Sequence, residues 1–113
     1  MKIVFHVPEL SRSIPCLNNV KNYLKLSSNP DKESICVIFN ADAVKSLISG
    51  EEIALRWVSL CEEFPSIRLC VCRNSLQGYS LSPDVLIRKT DIIPAAVATL
   101  IELQQDGWIY LRP

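Results

Sequence analysis

Five short apolar runs set the pattern of the chain, and polar turns or helical stretches separate them. The runs are continuous rather than alternating and are rich in β-branched and aromatic residues, which predicts strands covered on both faces. They lie at residues 2–7, 35–39, 67–72, 90–93 and 108–111. We therefore expect a five-stranded sheet with a buried middle.

Between these runs, apolar residues recur at three- and four-residue spacing, which predicts helices. Leu17, Val20 and Leu24 follow this spacing in a helix that is predicted to end near residue 27. The other helical segments are predicted at residues 41–48, at residues 53–64, as a short turn within residues 74–88, and at residues 95–106.

The last predicted helix, residues 95–106, has apolar residues on more than one face, among them Val97 and Ile101. We expect Pro94 at its first helical position and Gly107 in the left-handed conformation that closes it. A sheet buries only one stripe of a helix, so this pattern predicts a contact with a second subunit. A helix wedged between the sheet and a loop is the alternative.

Strands that alternate with helices predict an α/β fold with a mostly parallel sheet, helices on both faces and right-handed connections. Binding sites in such sheets lie beyond the carboxyl ends of the strands. Cys72 stands at one of these ends, and His6 and Asn40 stand at or near two others. If strand one borders strand three, His6 neighbours Cys72, whereas if strand two lies between them Asn40 is nearer.

Composition limits the functional class. The 113 residues are 49% hydrophobic, which predicts one domain, residues 1–113, with a sizeable core. Twelve basic and twelve acidic residues without a like-charged run argue against direct binding of nucleic acid. No apolar run approaches the length of a membrane span, so we expect no membrane partner and a cytoplasmic protein.

The five cysteines have no C-x-x-C spacing and are odd in number, which indicates free thiols rather than a disulfide framework. Cys36, Cys61 and Cys70 are predicted in the core, because cysteine is often buried. Strand alternation places Cys70 and Cys72 on one side, about 6.5 to 7 Å apart, too far for a disulfide in a regular strand. Cys16 is the other cysteine that merits a reactivity test.

Cys72 ends an apolar run and is followed at once by Arg73, Asn74 and Ser75. If a helical turn begins there, its unpaired N–H groups favour a thiolate. Asn74 and Ser75 are then candidates to bind the sulfur, with helix capping as their alternative role. Cys72 is the candidate nucleophile, and a purely structural cysteine is the alternative.

Other chemistries lack their residues. The C-x5-R phosphate-binding loop needs arginine where Gly78 stands, and the loop after the first strand has no glycine for a phosphate or dinucleotide site. One histidine and core-facing cysteines give too few ligands for zinc, so we expect no metal and no cofactor. His6, the sole histidine, is either an imidazole base or a rim residue without a chemical role.

Several segments along the whole chain resemble the DsrE/DsrF-like family of small sulfur-relay-type proteins. They are residues 19–24, 40–44, 72–76, 92–97, 100–104 and 107–113. The family usually has a glycine where Ala41 stands. The resemblance implies a three-layer α/β/α fold with a five-stranded parallel sheet, assembly as homotrimers or hexamers, and a cysteine, matched by Cys72, that carries sulfur as a persulfide.

Two functional hypotheses follow. In the first, the Cys72 thiolate accepts a sulfane sulfur from a donor and hands it to an acceptor protein, as a persulfide carrier or sulfurtransferase-type protein without a redox cofactor. Asn74 and Ser75 then bind the anion, and His6 and Asn40 belong to the same rim. In the second, the chain is a non-catalytic oligomeric module of sulfur metabolism that binds a small ligand or a protein, and Cys72 is structural.

Overall fold

The computed structural model describes residues 1–113 and contains a five-stranded parallel sheet with the strand order β4-β3-β2-β1-β5. The five strands are β1 (Lys2–Val7), β2 (Ser34–Phe39), β3 (Ile67–Cys72), β4 (Thr90–Ile93) and β5 (Ile109–Leu111). All five lie within one residue of the predicted runs. Because β2 lies between β1 and β3, Asn40 at the end of β2 is nearer to Cys72 than His6 on β1 is.

Four α-helices connect the strands: α1 (Ser13–Leu26), α2 (Glu52–Glu63), α3 (Arg73–Gly78) and α4 (Ala96–Gln105). Short 3-10 turns occur at Leu10–Arg12, Pro30–Lys32 and Pro83–Val85. None of these helices has the length and apolarity that crossing a membrane requires.

The segment Ala41–Leu47 forms a 3-10 helix rather than the regular helix that its spacing suggested. Its fully buried residues Val44 and Leu47 are three positions apart. Residues at this spacing eclipse one another in a 3-10 helix and not in an α-helix. The tighter winding therefore directs both side chains at the sheet.

The expected position of Pro94 is wrong by two residues. The helix α4 begins at Ala96, and Ala95 is its extended N-terminal cap with φ −149° and ψ 128°. The chain thus makes one more extended step after β4 before it turns, which brings the Ala96 N–H back toward the end of β3. Gly107 has φ +87°, and the expected left-handed closure of α4 is confirmed.

The sheet separates two cores of unequal size, which gives the three-layer α/β/α fold. On one face, 22 buried residues pack beneath α1, α2 and the 3-10 helix, with Trp57 edge-on to Phe39 at 5.3 Å. On the other face, eight buried residues, among them Cys70, Cys72 and Leu100, lie beneath α4 alone. On this face the core extends to Val4 of β1, which is fully buried, whereas Tyr110 on the edge strand β5 is 36% exposed.

Candidate functional site

Cys72 is placed between a strand end and two helix starts. It is the last residue of β3, α3 begins at the next residue, and the first turn of α4 lies beside its sulfur. Its backbone is extended, with φ −76° and ψ 120°. The residue is 5% exposed, so the sulfur sits at the floor of the rim rather than on a projecting loop.

Four hydrogen-bonding groups near the Cys72 thiol act on its pKa. They are the backbone N–H groups of Asn74, Ser75 and Ala96 and the hydroxyl of Ser75. Burial is the largest single influence and favours the neutral thiol, but the four donors together outweigh it and lower the pKa of Cys72. This is the arrangement that stabilises a thiolate.

Ala41 fixes the direction of the Ser75 hydroxyl. The Ala41 N–H donates to Ser75 Oγ at 2.8 Å, which occupies a lone pair of that oxygen and leaves its hydrogen for the sulfur. Ala41 reaches this position with φ +50°, a left-handed conformation that costs a residue with a Cβ atom about 1–2 kcal/mol. The backbone approach at this position is therefore made by an alanine, where the family usually has glycine.

None of the other four cysteines has a backbone N–H donor at its sulfur, and the single donor to Cys70, the Cys36 thiol, lowers the pKa of Cys70 within the core. Burial raises the pKa of Cys16 to about 12 and that of Cys61 to about 11. The Cys36 and Cys70 sulfurs are 3.8 Å apart, and the hydrogen bond between them together with burial raises the pKa of Cys36. Cys16 is fully buried, so the structure gives it no support as a second reactive thiol.

Asn40, rather than His6, is the neighbour of Cys72. Phe39 pairs with Val71, so the next position of the same register sets Asn40 opposite Cys72. Alternation along β2 and β3 directs both side chains to the α4 side of the sheet. His6, one strand further, contacts Asn40 instead of the sulfur, with His6 Nε2 at 2.9 Å from Asn40 Oδ1.

Tyr110 completes this group and was not among the residues singled out from the sequence. Its hydroxyl is 2.6 Å from His6 Nδ1, and the two rings are 5.7 Å apart. The contact exists because β5 pairs with β1 at the edge of the sheet. Only the strand order reveals this pairing.

His6 is held neutral in this position. Half burial is the main cause and lowers the pKa of the imidazole, the bond to Asn40 opposes this effect, and the charge of Arg112 adds to it. A neutral ring has one donor and one acceptor nitrogen. His6 therefore links Tyr110 and Asn40 rather than forming an ion pair.

Of the predicted site residues, the structure brings Cys72, Ser75 and the backbone of Asn74 into one cluster with Asn40 beside it. The Asn74 side chain itself is exposed, and this residue acts through its N–H. The sequence analysis did not identify Ala96, Ala41 or Tyr110 as residues of the site. The one signal in the sequence was Ala41 itself, an alanine where the family usually has glycine.

A family model and solved structures connect the chain to known proteins. The model of the DsrE/DsrF-like family matches residues 12–113. A search of curated proteins found no match.

Solved structures share the fold. A protein of unknown function from Methanobacterium thermoautotrophicum, MTH1491, is 26% identical, with a TM-score of 0.86 over 98% of this chain and 97% of that one. The YchN protein from E. coli is 16% identical, with a TM-score of 0.71 over the full length of both chains, and is similar in fold alone.

Proposed function

The chain belongs to the DsrE/DsrF-like family, a family of sulfur-relay type, and on that premise we propose that Cys72 is a sulfur carrier. Its thiolate accepts one sulfane sulfur from a donor persulfide and passes it to an acceptor thiol. The observation that carries this proposal is the set of four donors around the Cys72 sulfur. A buried structural cysteine has no need of donors that favour its anion.

The transfer is a displacement at sulfur without net oxidation. The Cys72 thiolate attacks the outer sulfur of a donor R–S–SH, forms Cys72–S–SH, and breaks the donor S–S bond, whose electron pair leaves with RS⁻. The acceptor thiolate then attacks the outer sulfur in the same way, and the thiolate of Cys72 is the leaving group. Donors that stabilise this thiolate assist both steps, because the anion attacks in one and leaves in the other.

The residues near Cys72 have distinct roles in this scheme. Ser75 and the Asn74 N–H bind the inner sulfur, which is the sulfur of Cys72 itself. Asn40 and His6 belong to the rim where the donor and acceptor meet the cysteine. No redox cofactor takes part in these steps.

Mass spectrometry after incubation with sodium tetrasulfide tests the proposal. We expect an adduct of about 32 Da, one sulfur atom, on the peptide that contains Cys72 and none in Cys72→Ser. Cys61→Ser is the matched control, because Cys61 is 4% exposed against 5% for Cys72 but has a raised pKa. An adduct that persists in Cys72→Ser, or is lost in Cys61→Ser, contradicts the assignment.

We also propose that the chain self-associates through the outer face of α4. Val97 is 66% exposed and Ile101 is 53% exposed, one helical turn apart. On the same side of the sheet lies Tyr110, which pairs with Val4 of the core beneath α4. Exposed apolar side chains on one helix face are typical of subunit contacts, and a trimer or hexamer is the assembly expected of the family.

Light scattering coupled to gel filtration tests the assembly. The wild-type protein is expected at an integral multiple of its monomer mass, and Val97→Lys with Ile101→Lys is expected to give the monomer. If Cys72→Ser kept both the assembly and the biological activity of the chain, the non-catalytic binding module would be the better description. A monomeric wild type would exclude the subunit contact.

A further inference from the structure

A row of polar side chains crosses four adjacent strands on the side of the sheet covered by α4. Tyr110 lies on β5, His6 on β1, Asn40 directly after β2, and Cys72 at the end of β3. The strand order β3-β2-β1-β5 makes these residues neighbours in space, although His6 and Tyr110 are 104 positions apart in the chain. The row leads from the open edge of the sheet to the sulfur.

The hydrogen bonds in this row all point toward Cys72. Asn40 Oδ1 can only accept, so His6 Nε2 donates to it across 2.9 Å. A neutral imidazole with its hydrogen on Nε2 has a lone pair on Nδ1, and the Tyr110 hydroxyl donates to that lone pair across 2.6 Å. The Tyr110 bond thereby selects the ring form that donates to Asn40.

The planar amide of Asn40 has its oxygen and its nitrogen on opposite branches. Because His6 on β1 binds Oδ1, Nδ2 is on the other branch of the amide, and β3 with Cys72 is the other neighbour of β2. Within the protein, the Asn40 side chain makes one hydrogen bond, the one to His6. Both N–H groups of Nδ2 are therefore without a hydrogen-bond partner in the protein.

These N–H groups are not among the four donors that bind the Cys72 sulfur itself. Adjacent strands are about 4.8 Å apart, so the Asn40 side chain is one strand spacing from that sulfur. A persulfide adds a second sulfur about 2.05 Å from the first. That outer sulfur carries the negative charge of the persulfide anion and lacks the donors that serve the inner one.

We propose that Tyr110, acting through His6, is a positioning residue that turns the Asn40 amide toward Cys72, where its N–H groups bind the outer sulfur of a persulfide. This inference rests on the proposed sulfur-carrier function and adds a separate subsite to it. The inner sulfur is bound by the starts of α3 and α4, and the outer sulfur is bound from β2. The two subsites belong to different elements of the fold and are separable by mutation.

The first test reads the imidazole directly. His6 is the only histidine of the chain, so its ring nitrogens give unambiguous signals in nitrogen-15 NMR. We expect a neutral ring with its hydrogen on Nε2, and a roughly fivefold larger share of the Nδ1–H form in Tyr110→Phe. A wild-type ring with its hydrogen on Nδ1 overturns the proposal, because Asn40 would then present its oxygen to Cys72.

The second test measures the persulfide. Each protein is loaded with sodium tetrasulfide and separated from the reagent, and the half-life of the adduct of about 32 Da is followed by mass spectrometry. We expect the half-life to fall about tenfold in Asn40→Ala and about threefold in Tyr110→Phe, since an anion loses its donors. Tyr79→Phe, which alters an exposed tyrosine away from the row, is the matched control and keeps the wild-type half-life.

The same variants separate the two sulfurs. In Asn40→Ala, alkylation of reduced Cys72 by iodoacetamide is expected within about twofold of wild type, because Asn40 does not bind the inner sulfur. A parallel loss of alkylation rate would assign Asn40 to the inner sulfur and overturn the subsite. Absence of the adduct on wild-type protein refutes the carrier function itself, whereas an adduct equally long-lived in wild type, Asn40→Ala and Tyr110→Phe refutes the outer-sulfur subsite alone.

Discussion

Substitution of Ser75 by alanine tests the link between the structure of the rim and the reactivity of Cys72. The Ser75 hydroxyl is the one side-chain donor to the sulfur, and its oxygen accepts from the Ala41 N–H at 2.8 Å. A hydrogen bond to a charged acceptor contributes about 1.5–3 kcal/mol, and the softness of sulfur argues for the lower limit. About 1.4 kcal/mol corresponds to a tenfold change in the thiolate population.

We therefore expect Ser75→Ala to be alkylated at Cys72 about tenfold more slowly than wild type at neutral pH. The sign follows from the donors: they lower the pKa of Cys72, so removal of one raises that pKa and depletes the thiolate. At alkaline pH, where both proteins carry the thiolate, the two rates converge. The assay is the rate of iodoacetamide labelling of the Cys72 peptide as a function of pH.

Asn74→Ala is the matched control for this experiment. Asn74 serves the sulfur through its backbone N–H, which alanine retains, and its side chain is exposed. Its labelling profile should coincide with that of wild type. A Ser75→Ala profile that also coincided with wild type would show that the hydroxyl does not stabilise the thiolate.

Three further predictions concern stability. Ala41→Gly relieves the left-handed strain at φ +50° and should raise the free energy of unfolding by about 0.5–1 kcal/mol in urea, after the greater unfolded-state entropy of glycine is deducted; a loss of stability would contradict the strain. The pKa of His6 is lower in the folded protein, so the unfolded state binds more protons below about pH 6.5. The free energy of unfolding of wild type should therefore fall more between about pH 7 and about pH 5.5 than that of His6→Gln. Equal losses in the two proteins would exclude His6 as the cause. Trp57→Phe removes the 2.9 Å hydrogen bond from the indole to buried Ser13 and should lower the free energy of unfolding by about 2–4 kcal/mol. Trp108→Phe, at a half-buried position, is the control and should lower it clearly less in the same urea titration.

The strands and the end of β3 were predictable from the sequence because their signals are local. A continuous apolar run reports burial on both faces whatever its neighbours are, and the change from Cys72 to Asn74 and Ser75 marks a strand end. The predicted bounds of β3 and β4 agree with the structure at both ends. The candidate thiol follows from the same local pattern.

The strand order was not predictable, and two features of the rim depend on it. Each pair of parallel strands is joined by a long connection, and the right-handed rule for such connections still permits several orders. Asn40 is next to Cys72 because β2 lies between β1 and β3, and Tyr110 reaches His6 because β5 adds to the free edge of β1. These contacts join residues that are far apart in the chain, and no spacing rule predicts them.

Ala41 shows how a local departure from a pattern acquires meaning in the folded chain. In the sequence, an alanine at a usual glycine position suggests that a close backbone approach is lost. In the structure the approach is kept: the left-handed backbone at Ala41 directs its N–H at Ser75, and the Ser75 hydroxyl in turn serves the Cys72 sulfur. The strained backbone of Ala41 thus supports Ser75, which is a donor to the thiolate. Strained backbone is expected to persist at functional sites of this kind. Ala41→Gly should accordingly increase stability and leave the alkylation rate of Cys72 unchanged, because glycine keeps the N–H that binds Ser75 Oγ. A slower alkylation in Ala41→Gly would show that the Cβ atom of Ala41, and not only its N–H, supports the site.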